Sequence, residues 1–313
     1  VHAASADVTF DGGLCRVAAV IDYEPHRWRD HFFDVRGSMA RTIGYRAMVC
    51  ALSAVVTAVV HYRWHEFQST EKVHGLIATP LGLLLVFRTN ASYDRFWEAR
   101  KLWGSIVNES RNLARSAAAL LGADEALVAR VIRLDMAFSY ACMSTLRGKH
   151  GLGPIAAELD PAEADRLANA QHAPLAIAAT LSREIAAGQR RGLITDVQQS
   201  IIEQNLQVLI DCIGACERIR RTPLPFAYVV HLRRALAVYC GTLPMALVQY
   251  FGWITVPVTF LVAYVLLGIE EIGVEIEEPF GVDDNDLPLD RFCTTIEQNL
   301  RALLPSTASK ATP

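Results

Sequence analysis

The sequence predicts an all-α integral membrane protein, and three observations carry that reading. Hydrophobic residues make up 52% of the 313 positions, charged residues only 20%, and the mean hydropathy is +0.22. The apolar residues are gathered into blocks near residue 50, near residue 80 and at 235–269, as bilayer-spanning segments require. Between the blocks, 91–230 has the composition of a soluble region and a helical period, and the alternating pattern of strands appears nowhere.

The first block, "GYRAMVCALSAVVTAVVHYRW" (44–64), reads as one span. The second, "VHGLIATPLGLLLVF" (73–87), has 15 residues free of Asp, Glu, Lys and Arg. That is short for a lipid-exposed crossing, and suits a helix that faces other protein or a water-filled cavity. The third runs for 35 uncharged residues between Arg234 and Glu270, too long for one crossing of about 20 residues and long enough for a tight pair. Its hairpin is expected at "QYFGWITVP", where Tyr250, Phe251 and Trp253 suit a bilayer boundary and Gly252 and Pro257 loosen the helix.

Positive charge collects on the cytoplasmic side of short connections, and it orients the four expected crossings consistently. Arg27, Arg29, Arg36 and Arg41 precede the first span; Arg88, Arg95, Arg100 and Lys101 follow the second; Arg218, Arg220, Arg221, Arg233 and Arg234 precede the third. Both termini and 91–230 are therefore expected inside. The opening "VHAASADVTFDGG" has neither the basic start nor the apolar core of a cleaved signal. The resulting divisions are 1–42, a cytosolic N-terminal segment; 43–90, the first two spans; 91–230, a cytosolic helical region; 231–272, the last two spans; and 273–313, a cytosolic C-terminal segment.

Within 91–230, Tyr93, Phe96, Trp97, Trp103, Ile106, Val107, Leu113 and Ala117 recur at helical steps, with Gly122 as a stop. A second helix runs through "DEALVARVIRLDMAFSYACMSTLRG". A loop-rich stretch follows, in which Asp160 and Pro161 are placed to start a helix. From about 193, "LITDVQQSIIEQNLQVLIDCIGACERIRR" reads as one long helix stopped by Pro223 and Pro225.

Catalytic motifs are lacking: there is no GxSxG, Walker loop, HExxH or dinucleotide fingerprint. The seven cysteines are scattered without CxxC, and read as small buried residues. The histidines in or beside apolar segments, His61, His74 and His231, are single, whereas haem or metal sites need converging ligands. An enzyme is not expected, which leaves transport or permeation. Thr79, Leu83 and Phe87 bear on it, being spaced by four along one side of the second span; buried core and pore lining both produce such a stripe.

Three stretches, "RTNASYDRFWEARKLWG" (88–104), "CERIRRTPLPFAYVVHLRR" (216–234) and "EEPFGVDDNDLPLD" (277–290), resemble the bestrophin family in its bacterial branch, over roughly Trp28 to Leu304. The resemblance implies a homopentameric channel with four membrane helices per subunit, in a bacterial inner membrane. Its partners would be other copies of itself, membrane lipid and monovalent ions, and no nucleic acid. It places a hydrophobic neck at Thr79, Leu83 and Phe87, where Thr79 stands in for the larger apolar side chain common in the family. It places a cytosolic aperture at Val197, with Ile194 and Ile201 as neighbours if the register slips. Asp94, Arg95, Glu98 and Arg100 are expected as ion-pair and subunit-contact residues, with Trp97 and Trp103 as packing anchors.

Eukaryotic relatives bind calcium in a clasp whose carboxylates fall here on Asp283 and Asp286, with backbone oxygens near Glu275 and Glu278. The opening of this chain does not resemble the N-terminal partner of that clasp, so no resident cofactor and no high-affinity calcium response are expected. The family includes anion (chloride) channels and bacterial members that favour monovalent cations, and an uncharged neck does not decide between them. The rival reading is a non-conducting membrane-anchored scaffold or ligand-binding protein.

Overall fold

The computed structural model describes residues 39–64 and 71–305. Arg27, Arg29, Arg36 and the opening segment lie outside the described residues, so their part in the charge pattern has no structural counterpart. In chain order the helices are α1 (Ala40–Trp64), α2 (Glu71–Leu120), α3 (Glu125–Leu146), a 3-10 turn (Gly153–Glu158), α4 (Pro161–Ala168), α5 (Ala173–Arg190), α6 (Asp196–Arg221), α7 (Phe226–Phe251), α8 (Thr255–Glu275) and α9 (Leu289–Arg301). No strand occurs among the described residues.

Four helical segments form an apolar bundle: α1, the first part of α2, α7 and α8. Among the described residues, Ala40–Trp64 and the run Phe226–Glu275 are long and apolar enough to cross a membrane. The second run is divided where the sequence predicts a hairpin. Gly252, at φ +51°, takes a backbone angle that a side chain disfavours, and a 3-10 turn, Gly252–Ile254, separates α7 from α8. That α8 returns alongside α7 is shown by Arg233, near the start of α7, which bonds Glu270, near the end of α8, at 2.9 Å. At the opposite end Tyr62 of α1 stacks on Trp253, and Tyr250 bonds Glu71 at the start of α2.

Small residues set how closely these helices approach. The buried face of α1 is Ala47, Ala51, Ala54, Thr57 and Ala58, and α8 turns Thr255, Thr259, Ala263 and Gly268 inward. The larger apolar side chains of α1, Tyr45, Met48, Leu52 and Val56 among them, point away from the protein. Small residues inside and large apolar ones outside is the distribution expected where the surroundings are themselves apolar.

The remaining helices build a separate body with an ordinary packed core. In α3, 15 of 22 residues are buried, which makes it the central helix, with α2, α5 and α9 around it. The sequence writes the ends of these helices clearly. Asp124 accepts from Leu127 N–H, Asp160 from Ala162 and Glu163 N–H, and Thr195 and Gln198 form a reciprocal capping box. One helix was not foreseen: α5 begins where His172 serves as cap for Leu175 N–H, within a stretch that reads as loop-rich. α9 is amphipathic, burying Leu289, Cys293, Ile296 and Leu300.

α2 belongs to both parts. It is continuous for 50 residues, about 75 Å at 1.5 Å per residue, so the division at residue 90 falls inside a single helix.

Candidate functional site

The two sides of α2 have opposite fates. Leu81, Leu85, Arg88 and Ser92 are buried against α7 and α8, while Thr79, Leu83 and Phe87 are all exposed, Leu83 by 53% and Phe87 by 56%. The three share a face, drifting by about 40° per four-residue step over roughly 12 Å of helix. They do not pack as core within this chain. The exposed side continues through Asn90, Tyr93, Asp94 and Trp97 to Lys101, becoming polar as it enters the body.

Directly behind the stripe is a charge cluster that the sequence does not reveal. Arg88, 1% exposed, lies 3.4 Å from Glu270 and 3.5 Å from Glu277; Arg233 and Arg46 also reach Glu270, and Arg46 bonds Glu271. Three arginines and three glutamates, from four helices and the turn that follows α8, thus neutralise one another where bundle meets body. Buried ions stay charged only when paired in this way. Arg95 continues the junction by donating to the carbonyls of Glu277, Ile219 and Thr222, which caps the C-terminal end of α6. It works on carbonyls, where an ion pair was expected. Glu98 does form an ion pair, with Arg218 at 2.8 Å, and Arg100 lies 4.9 Å from the centre of the Phe292 ring. Of the two tryptophans, Trp103 is fully buried, whereas Trp97 is half-exposed.

Val197 stands in the first turn of α6, held by the Thr195–Gln198 capping box, and is 70% exposed. Ile201, one turn on, is exposed beside it, while Ile194 is buried in the core of the body. Because α6 runs opposite to α2, with its C-terminal end at Arg95, Val197 lies at the end of the body remote from the bundle.

The acidic turn folds in on itself. Asp286 accepts a 2.7 Å bond from Asp283 N–H with a carboxylate tucked under Gly281, where any side chain would collide with it. Burial pushes the Asp286 carboxyl up to about 6, and the neighbouring Asp283, Glu275 and Glu278 charges add to the shift. Asn285 donates to Glu275 at 3.2 Å, and Asp283 faces outward. One Asp286 oxygen is thus committed to the turn itself, and no three His, Cys, Asp or Glu side chains converge as a metal set among the described residues.

Residues 20–302 match the family model described as "Bacterial/Fungal Bestrophin protein". The chain belongs to that bestrophin family. Among curated relatives, a "voltage-dependent anion channel-forming protein" of Nostoc sp. (strain PCC 7120) is 39% identical over 283 residues, covering 87% of this chain and 90% of that one. A protein of the same description, YneE of Escherichia coli (strain K12), is 31% identical over 275 residues, with 87% of this chain and 90% of that one covered. Among solved structures, the crystal structure of a bacterial bestrophin homolog from Klebsiella pneumoniae superposes with a TM-score of 0.77 at 30% identity, covering 83% of this chain and 97% of that one. Bestrophins are membrane proteins and ion channels, so it is family membership that bears out the expectation of a non-enzyme.

Proposed function

We propose that this bestrophin assembles as a homopentamer whose five α2 helices surround one axis, and that monovalent ions pass between them through two constrictions. The carrying observation is the bare stripe on α2. Thr79, Leu83 and Phe87 are exposed in the chain, although Leu81 and Leu85 on the opposite face of the same turns are packed. A helix with only 15 uncharged residues whose continuation enters a soluble body suits an axis shared with other copies better than lipid.

In this reading α1, α2, α7 and α8 each cross the bilayer, with both termini and the body in the cytoplasm. Rings of Thr79, Leu83 and Phe87 form the neck, with its Thr79 end the wetter. An apolar ring of this kind gates by holding or losing a continuous water column. At the far end of the body, Val197 forms the aperture with Ile201 next along the path, while buried Ile194 takes no part. The Arg–Glu cluster behind the neck fixes the α2 face that lines it and offers no net charge to the ions. Conduction does not depend on calcium, since Asp286, one of the two carboxylates a clasp would use, is buried and holds Asp283 N–H.

The names of the curated relatives favour anions, and the uncharged neck accommodates either sign. Reconstitution in planar bilayers with asymmetric salt tests the proposal and reads the sign from the reversal potential. Sealed bilayers holding a pentamer that carries no current at any voltage would make the protein a scaffold.

A further inference from the structure

A cleft of about 440 Å³ opens between α1 and α7, with α8 as its floor, and the pathway above makes no use of it. One end is polar, formed by Arg46 and Arg233 beside Glu270. The rest of the wall is apolar or small: Val49, Leu236, Ala237, Cys240, Gly241 and Leu267. From Arg233 to Gly241 is about 12 Å along the helix. Gly241 contributes open space, since a Cβ built there would meet nothing within 4 Å.

We propose that this cleft binds a membrane phospholipid, its phosphate held by Arg46 and Arg233 and one acyl chain lying along α7 toward Gly241. The donors suit a phosphodiester. Arg46 engages the glutamates through one terminal nitrogen and Arg233 engages Glu270 through Nε, so N–H groups on both side chains have no hydrogen-bond partner among the described residues. Glu270 and Glu271 are buried and already paired, which leaves the exposed edge of the mouth cationic. The shape suits a chain of methylenes: the cleft follows two turns of α7 from Arg233 to Gly241, with small side chains at Ala237 and Gly241 leaving room along it. The position suits lipid as well, because α7 and α8 stand between α1 and the lining helix α2. The proposal rests on the reading that these helices cross the bilayer and is independent of conduction.

The test is photolabelling of the full chain in vesicles containing a phospholipid with a diazirine in mid-chain, with the labelled peptides mapped by mass spectrometry. Label is expected on 45–53 and 233–241, at least tenfold lower in Ala237→Leu, whose side chain fills the cleft, and at least threefold lower in Arg233→Gln. Val59→Leu, on the outward face of α1, should label like the parent. Label spread over every outward face and unchanged in both cleft variants would overturn the proposal, as would loss of the assembly in Ala237→Leu with labelling retained, which would give the cleft to a subunit contact. Melting curves confirm that each variant is folded, and Arg233→Gln decides the matter if Ala237→Leu is not. A chain that fails to float with the vesicles would instead sink the bilayer reading beneath the proposal.

Discussion

The bundle and the body use the same apolar residue types in opposite ways. In the body one cluster extends from Ala99 to Leu300 and includes fully buried Trp103, Ile132, Phe138 and Ile296. In the bundle the buried clusters are small, Leu81 with Leu85, Leu232 and Leu236, and Ala47 with Cys240 and Ala263, while large side chains such as Met48, Leu52, Leu83 and Phe87 face outward. The body hides its apolar surface from water; the bundle leaves it exposed, on the proposed reading for lipid and for other copies of the chain. Apolar exposure therefore signals a defect in one region and a working surface in the other.

The sharpest way to break this comparison is to truncate one large side chain in each region. Phe138→Ala should cost about 3–5 kcal/mol, because a close-packed core cannot collapse around the cavity, whereas Leu83→Ala should cost less than about 1 kcal/mol. Thermal melting of the two variants in one detergent measures both. Equal losses would mean that the α2 stripe is core.

The junction between the regions comes next. Arg88→Met leaves Glu270 and Glu277 short of a buried partner and should destabilise by about 3 kcal/mol. Neutralising one acid as well, in Arg88→Met with Glu277→Gln, should recover part of the loss, which a cavity effect alone would not do.

A smaller effect tests the body on its own. Asp135 is fully buried in α3 with only the Ser110 hydroxyl to offset the loss of water, and burial raises its carboxyl well above the ordinary range. A raised folded-state value means that the folded chain keeps this proton to higher pH than the unfolded chain does. The stability associated with the group is therefore full at low pH and lost as pH rises above about 4. Asp135→Asn should melt higher than the parent at pH 7–8, by about 1–3 kcal/mol, and converge with it near pH 4. A pH-independent difference would show that the carboxyl is not the cause.

The smallest expected effect is at the acidic turn. Currents should be the same in chelator and in micromolar calcium, and Asp283→Ala should leave them unchanged. Asp286→Asn keeps an oxygen for Asp283 N–H, so its only signature should be a slight gain in stability that develops between about pH 4 and 6. A calcium-dependent current that disappears in Asp283→Ala would restore the clasp.

Features carried by neighbouring residues were legible in the sequence. The hairpin at Gly252, the helix start at Asp160, the long helix from about 193 and the shortness of the second span all follow from local composition. Features that join distant residues were not. Arg88 and Glu277 are 189 positions apart and Arg46 and Glu271 are 225 apart, so the cluster that locks α2 in place looked like unrelated charges at the ends of apolar blocks. Asp135 is one polar residue in a helical stretch, and only tertiary packing shows that α3 is enclosed on nearly all sides. For the stripe itself, spacing placed Thr79, Leu83 and Phe87 on one face but did not say whether that face is buried. The fold supplies that missing fact, with Leu85 and Arg88 taking the buried side.

The central claim is that the exposed face of α2, and not its buried face, lines the path of the ions. Single-channel conductance of Phe87→Ala and Leu85→Ala in planar bilayers tests it most directly, with the melting temperature of each variant alongside. Phe87→Ala should raise conductance or open probability at nearly unchanged stability, because a narrower apolar barrier remains to oppose the water column. Leu85→Ala should leave conductance near that of the parent while lowering stability by about 2–5 kcal/mol. Unchanged currents in Phe87→Ala, together with altered conductance in a stable Leu85→Ala, would contradict the account.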